Sequence, residues 1–464
     1  MEKKKNNLLV ALCAAFVVLV VVGTALSIQF IRASFTKDEQ DTAITTFKNW
    51  SEAGVFASVP AMLVEDSYIG KTIDAGVGNY VLDVSNTAKA DYLAYLALLE
   101  QAGFEKYVDN GEEGIEDSVF CATYLKEDLA VTVTFMEPIR KTYISVCEGL
   151  PLSEHLFFDE SYTAGDIPGA QTTLHMMEMQ TNGNSLVIQM KNGHFLISDG
   201  GLKDELPYLL DYLDTLTPDG EKPVIEGWFF THMHPDHCGA LQAFAEHPEY
   251  GQRIIVEGIY FHIPGEDALT IDPSARPLVT TVQSATLTMR TSSGAFPQIY
   301  RPQTGQKYYF DDTVIEITMA QEQVTPQTYT SDLNASSTVC MHYIDGQKLC
   351  IVGDADRSVM RNMMRVYSQE YFTVDMMTSF HHGIDTWRPF VEYSTVKTTL
   401  YEATTKENAV ANHEVNEFLL ASAQETYSYG DGTKVFTFPY TVGTAKTLPV
   451  IERIYNQPED DGTG

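Results

Sequence analysis

The sequence predicts an α/β protein whose main body is a layered α/β domain over residues 165–455. A small α/β domain over 36–160 precedes it, and an N-terminal transmembrane helix lies within 1–35. Three observations predict this. An uninterrupted apolar run fills Leu8 to about Phe30. Beyond residue 80, strand-like segments alternate with stretches of helical periodicity. Apolar residues make up 44% of the 464 and aromatics 11%, enough to bury two or three cores.

The N-terminal element comes first. At ~1.5 Å per residue the run from Leu8 to Phe30 spans about 34 Å, enough to cross a hydrocarbon layer. Lys3, Lys4 and Lys5 precede it, while only Arg32 and Lys37 follow closely. The positive-inside rule then leaves the N-terminus in the cytoplasm and exports the rest, giving a single-pass cell-membrane protein. The rival reading is a cleaved signal peptide, whose apolar region is usually about 7–15 residues. Ala25-Leu26-Ser27 also forms a poor cleavage site.

A polar linker, Thr36 to Asp41, leads into a helix containing Trp50. A strand is expected over Tyr80–Val84 and a helix over Ala90–Gln101, stopped at Gly103. Tyr92, Leu93, Tyr95, Leu96, Leu98 and Leu99 give that helix a wide apolar stripe. Strands follow near Phe120–Leu125, Ala130–Phe135 and Thr142–Cys147. With neither a ligand cluster nor a glycine-rich phosphate loop, this region reads as a spacer or a platform for an unknown protein partner.

The loop Ala164 to Gly169 opens the larger domain. Strands are expected over Leu174–Gln180, Ser185–Lys191 and Phe195–Ser198, the last ending at Asp199-Gly200-Gly201. A helix over Leu206–Leu216 and a strand over Val224–Phe230 come next. A hairpin should turn at Asp345-Gly346, a strand should run over Asp375–Phe380, and Tyr429 to Thr433 reads as a second hairpin turn. The acidic tail over 456–464 reads as disordered. The six cysteines are too thinly spread for a disulfide scaffold. Cys13 lies in the apolar run, and Cys121 with Cys147 either pair or serve as small buried hydrophobes. Cys340 and Cys350 should point to opposite faces of their hairpin and not bridge.

The chemistry concentrates after the strand at 224–230. Thr231-His232-Met233-His234-Pro235-Asp236-His237 packs three of the chain's 12 histidines and an aspartate into six positions. Imidazole and carboxylate together suit zinc, manganese or iron. His232 and His234, two apart in extended chain, can grip one ion, and Asp236 with His237 can address a second. The plainer alternative is a histidine-rich surface loop. A net charge of -33, with no basic patch, disfavours long nucleic acids as partners.

His-x-His-x-Asp-His after a strand resembles the signature of the metallo-β-lactamase superfamily. The resemblance covers roughly residues 170–450 and implies an αββα four-layer sandwich and metal-dependent hydrolysis with one or two Zn2+ ions, Mn2+ or Fe being possible substitutes. On that likeness Asp199 corresponds to the aspartate that orients the histidine loop, Asp354 to the bridging carboxylate, and His381 to the last ligand histidine. The implied ligand set is His232, His234, Asp236, His237, Asp354 and His381. Asp236 is expected also to orient water or carry its proton, with Asp199 acting from behind the ligands.

The run Asn334-Ala335-Ser336-Ser337-Thr338, then Gly353-Asp354-Ala355-Asp356 and His381-His382-Gly383, resembles the hydrolase domain of ComEC-type competence proteins. Asn334 stands where most of the superfamily has a third-motif histidine, which leaves the site of His232 and His234 short of a strong ligand. His382 is an alternative to His381, and His413 a further candidate for contact with a substrate or leaving group. Cys238 follows the motif and reads as packing beneath it. The likeness favours a small-molecule or cell-envelope phosphodiester as substrate. The alternatives are another ester or lactam, or a metal-binding surface sensor with a degenerate site.

Overall fold

The computed structural model describes residues 50, 54–70, 73–76, 78–110, 114–149, 152–320, 333–384, 386–401 and 422–451. The segment Leu8–Phe30, Cys13, His413 and the acidic tail lie outside these residues. Among the described residues no helix is long and apolar enough to cross a membrane.

The first sheet comprises β1 (Tyr68–Ile69), β2 (Ile73–Gly76), β3 (Asn79–Ser85), β4 (Glu105–Asp109), β5 (Val119–Lys126), β6 (Leu129–Met136) and β7 (Lys141–Glu148). It is antiparallel, with β3, β7, β6, β5 and β4 side by side. Left-handed residues turn the chain tightly: Glu127 between β5 and β6, Arg140 between β6 and β7. Helix α1 (Lys89–Gln101) ends before Gly103, whose φ of 84° stops it. Its Tyr92, Tyr95, Leu96 and Leu99 pack on Leu82, Val84, Val131, Val133 and Phe135 of the sheet. The opposite face, carrying Val81, Val119, Met136 and Tyr143, packs on the second domain. Alternation along β3 thus sends Val81 one way and Leu82 the other. The five elements expected between residues 80 and 147 are present, and β3, β5, β6 and β7 each run one residue further at both ends. Cys121 faces Thr134, and Cys147 faces Asn79 and Ala130, so β6 separates the two and no disulfide joins them.

The second domain is a sandwich. Its first sheet contains β8 (Thr173–Met176), β9 (Leu186–Gln189), β10 (Phe195–Ser198), β11 (Val224–Phe230), β12 (Ile255–Val256), β13 (Gly258–Phe261) and β14 (Gln298–Tyr300). Helices α2 (Leu206–Leu216), α3 (Pro235–Glu246), α4 (Glu266–Ile271) and α5 (Arg276–Thr286) connect these strands. Strands β10, β11, β13 and β14 run parallel, so their carboxyl ends share one edge. The facing sheet contains β15 (Lys307–Phe310), β16 (Thr313–Met319), β17 (Val339–Ile344), β18 (Gln347–Ile351), β19 (Thr373–Thr378), β20 (Thr395–Tyr401) and β21 (Glu425–Ser428). Strands β18 to β21 are parallel, with α6 (Arg357–Val366) between β18 and β19 and α7 (Arg388–Tyr393) between β19 and β20. The chain then returns to the opposite sheet as β22 (Lys434–Thr437) and β23 (Lys446–Thr447).

Three apolar layers hold the sandwich. Leu196, Phe229 and Tyr260 of one sheet meet Phe310, Ile317, Leu349 and Met376 of the other. Outside, Phe195, Ile197, Trp228 and Phe230 pack on Leu209, Leu213, Leu241 and Phe244 of the helices. On the far side Met341, Cys350 and Met377 pack on Val359, Met360, Met363 and Phe390. This is the α/β four-layer order expected from the motif, extended by the antiparallel N-terminal sheet lying on α6. Cys340 points between the sheets and Cys350 toward the helices, as the hairpin register requires.

Two expectations differ. Tyr429 to Thr433 is not a hairpin: β21 pairs with β20 and β22 with β8, so this turn carries the chain between sheets. The expected strands at 174–180 and 185–191 are shorter, because Met177 to Ser185 bends around the base of the histidine loop.

Candidate metal centre

The carboxyl ends of both sheets meet at one rim, where four loops converge. The first follows β10. Asp199 is buried with φ of 60°, its backbone N–H donating to Phe229 O at 2.8 Å. Its carboxylate accepts from the Thr231 N–H at 2.8 Å, from Thr231 Oγ1 at 2.9 and 3.1 Å, and from His237 Nδ1 at 2.8 Å. In neutral His237 that last bond places the proton on Nδ1 and leaves Nε2 with the lone pair. The second loop follows β11: Thr231 and His232 come just past the strand's end, and Pro235 starts α3, which carries Asp236 and His237. Thr231 Oγ1 also lies 3.1 Å from His232 Nδ1, turning His232 Nε2 inward.

The third loop follows β18. Gly353 has φ of 52°, and a Cβ there would meet Thr231 Cβ at 2.8 Å, so only glycine lets the two loops touch. Asp354 comes next, buried, its N–H donating to Ser337 Oγ at 3.2 Å. The fourth follows β19, where His381, His382 and Gly383 have φ of 47°, 51° and 89°. Left-handed conformations at non-glycine residues are held at about 1–3 kcal/mol each and cluster at functional sites. Here they curl the chain so that both imidazoles return over the rim.

Two groups of side chains each bring one ligand atom per residue within 4.8 Å of the others: Asp236, His237, Asp354 and His382 in one, His232, His234 and Asp354 in the second. Asp354 belongs to both. His237 Nε2 lies 3.2 Å from Asp354 Oδ1 and 3.5 Å from Asp236 Oδ2. His382 Nε2 lies 3.1 Å from Asp236 Oδ2 and 3.7 Å from Asp354 Oδ2. His232 Nε2 lies 3.6 Å from Asp354 Oδ2 and 3.0 Å from His234 Nδ1.

The preference for His381 over His382 differs from this placement. It is His382 that joins Asp236, His237 and Asp354, while His381 Nε2 approaches Asp354 Oδ2 at 3.6 Å from outside both groups. Asn334 lies beside His381, its amide nitrogen 3.4 and 3.5 Å from the two ring nitrogens. Cys238 is packed under the loop against Met233, with Sγ 3.8 Å from Sδ, and burial pushes its thiol pKa up. His342 on β17 and His262, just beyond β13, are buried away from these groups.

Do these residues suit a cation? His237 Nε2 and Asp354 Oδ1 are buried, 3.2 Å apart and have no other polar partner, so only a proton or a cation between them can satisfy both. Burial opposes charge on Asp354, but His237, His382 and His232 outweigh it and hold its carboxyl well below the usual range. Burial opposes charge on His382 too, yet Asp354 and Asp236 raise its pKa to about 9. In the protein alone, protons on imidazole balance the buried carboxylates; a divalent ion supplies the same charge. The residues fit it.

Residues 180–386 match the family described as the Metallo-beta-lactamase superfamily. No curated protein compared with the chain matches it. Among solved structures, a metallo-beta-lactamase from Cronobacter sakazakii is 14% identical over 49% of this chain and 78% of its own, with a TM-score of 0.27. Zn(2+)-bound PqqB from Methylobacterium extorquens is 7% identical over 45% and 71%, with a TM-score of 0.29. A metal-dependent hydrolase of the beta-lactamase superfamily is 9% identical over 56% of this chain and 96% of its own, with a TM-score of 0.33.

Proposed function

We propose, from the premise that residues 180–386 belong to the metallo-beta-lactamase superfamily and that the chain is a metal-dependent hydrolase, that it cleaves phosphodiesters outside a cell membrane. The observation that carries the reading is Asp354, shared by two ligand groups so that one carboxylate can serve two ions. Asp236, His237, Asp354 and His382 would hold one, and His232, His234 and Asp354 the other, with zinc the ion favoured by this donor set. When bound, such an ion supplies Lewis acidity, making water a better nucleophile near neutral pH and offsetting charge on the attacked group.

The chain's own residues do the rest. Asp199 and Thr231 lock the tautomers of His237 and His232. Asp236, the most exposed of the site carboxylates, stays ionised: burial pushes its pKa up, but His237 and the hydrogen bond with His382 hold it well below the usual range. Ionised, it can accept a hydrogen bond from water at the rim and orient it, while its bond to His382 Nε2 holds the carboxylate in place.

The likeness of Asn334 to Thr338, Gly353 to Asp356 and His381 to Gly383 to ComEC-type hydrolase domains supports a phosphodiester. These three segments converge on Asp354 through Ser337, the chain itself and His381. The net charge of -33 favours small or cell-envelope phosphodiesters over long nucleic acids. Lys3 to Lys5 ahead of the apolar run support a single-pass anchor with the bulk of the chain outside.

The full chain, loaded in turn with Zn2+ and Mn2+, should hydrolyse bis(p-nitrophenyl) phosphate in preference to a β-lactam and a thioester. Asp354→Ala should abolish turnover. Preference for the lactam or thioester would overturn the substrate reading. A tagged chain recovered from the medium instead of the membrane fraction would overturn the anchor.

A further inference from the structure

Each histidine of the β11 loop presents one nitrogen inward and has the other held from behind. Asp199 holds His237, and Thr231 holds His232. His234 is the least protected of the three, its side chain 20% exposed where those of His232 and His237 are 0%. Its Nε2 instead lies 3.2 Å from Oδ2 of Asp272. Asp272 follows α4 in a separate loop, its N–H donating to Ala268 O at 3.1 Å, and Pro273 stiffens the next step of chain.

We propose that Asp272 is a positioning residue for the metal centre, holding the proton of His234 on Nε2 so that Nδ1 faces the ion beside His232 and Asp354. A neutral imidazole has one donor and one acceptor nitrogen, so a carboxylate at Nε2 decides which nitrogen is left to ligate. The group of His232, His234 and Asp354 offers three ligands where the other offers four. A poorly oriented His234 would leave it with two. The carboxylate compensates within the ligands already present, making His234 a better electron donor and fixing its ring. The inference rests on the metal-centre assignment, not on the identity of the substrate.

The test is Zn2+ titration of the full chain against a chromophoric chelator, with Asp272→Ala and Asp272→Asn beside the unaltered protein. Asp272→Ala should weaken one class of site by about 10–100-fold and leave the other unchanged. Asp272→Asn, which keeps an acceptor oxygen and the shape, should recover part of the loss. The melting temperatures of the metal-free proteins should agree, which a purely structural role would not produce. Zn2+ binding by Asp272→Ala equal to that of the unaltered chain overturns the proposal and leaves the hydrolase reading intact. An asparagine variant no better than alanine also overturns it. Absence of Zn2+ binding by the unaltered chain overturns both.

Discussion

At the scale of single residues the site is a set of imidazoles whose protons are placed by oxygens behind them. Asp199 has the widest reach, since it accepts from Thr231 and His237 together. Asp199→Ala should therefore loosen both ligand groups and lower Zn2+ affinity at each by about 10–100-fold, measured by chelator competition. The two histidines after β19 should separate cleanly: His382→Ala should remove one equivalent of tightly held metal, and His381→Ala should retain it. Equal losses in the two variants, read by elemental mass spectrometry, would contradict the placement of His382. The sequence marked most of this because the ligands lie in dense local motifs. It was silent on Asp272, which is 38 residues from His234 and stands in no motif. It set His381 ahead of His382, whereas the structure brings His382 beside Asp236, His237 and Asp354; two adjacent left-handed residues shape this turn and no local pattern announces them.

At the scale of elements, the strand ends matter more than the strands. Gly353 joins the β18 loop to Thr231 by contact, and both features that require glycine act there, the positive φ and the lack of space. Gly353→Ala should push Thr231 away from Asp199 and lower both the melting temperature and metal content. A second element-level device is His175 on β8, clamped between Thr173 Oγ1 at 2.8 Å and Tyr212 OH of α2 at 2.7 Å. Burial lowers its pKa to about 4. A depressed histidine pKa means the unfolded chain takes up the proton first, so stability is full above pH 6.5 and falls as pH drops toward 4. The displacement from the ordinary value corresponds to about 3 kcal/mol. His175→Gln should flatten the melting-temperature profile of metal-free protein across that window. The central strands were readable because they are continuous apolar runs bounded by turns. The edge strand Glu105–Asp109 was not, since Glu-Lys-Tyr-Val-Asp is charged and has little alternation. The Tyr429–Thr433 turn misled for a related reason, because turn chemistry states that the chain reverses and not which sheet it joins next.

At the scale of the whole molecule, the N-terminal sheet is a fifth layer and not a detached module. Val81, Val119, Met136 and Tyr143 share one apolar cluster with Met360, Met363 and Tyr367 around α6. Thr134 Oγ1 donates to Thr304 O at 3.0 Å, and Ser368 Oγ to Glu116 Oε1 at 2.6 Å, across the same junction. A chain lacking residues 36–160 would expose that cluster, and it should aggregate or melt at a clearly lower temperature than the full chain. Met363→Ala, at a fully buried position in this cluster, should cost about 2–5 kcal/mol in urea unfolding, with one transition reporting both domains. Two separate transitions would show that the domains unfold independently. Nothing in the sequence foretold this packing, because β-strands buried on both faces look the same whichever partner covers the second face.

The ligand groups draw on both halves of the sandwich. Asp236 and His237 stand on α3 behind one sheet, while Asp354 and His382 follow strands of the other. An ion held among them would be a rivet through two plates, bonded to both. The rate at which bound Zn2+ escapes to excess chelator should then count how often the two sheets part at that edge. A change in the interior that stiffens the contact between the sheets, far from any ligand, should lengthen the residence time of the ion without altering the residues that hold it.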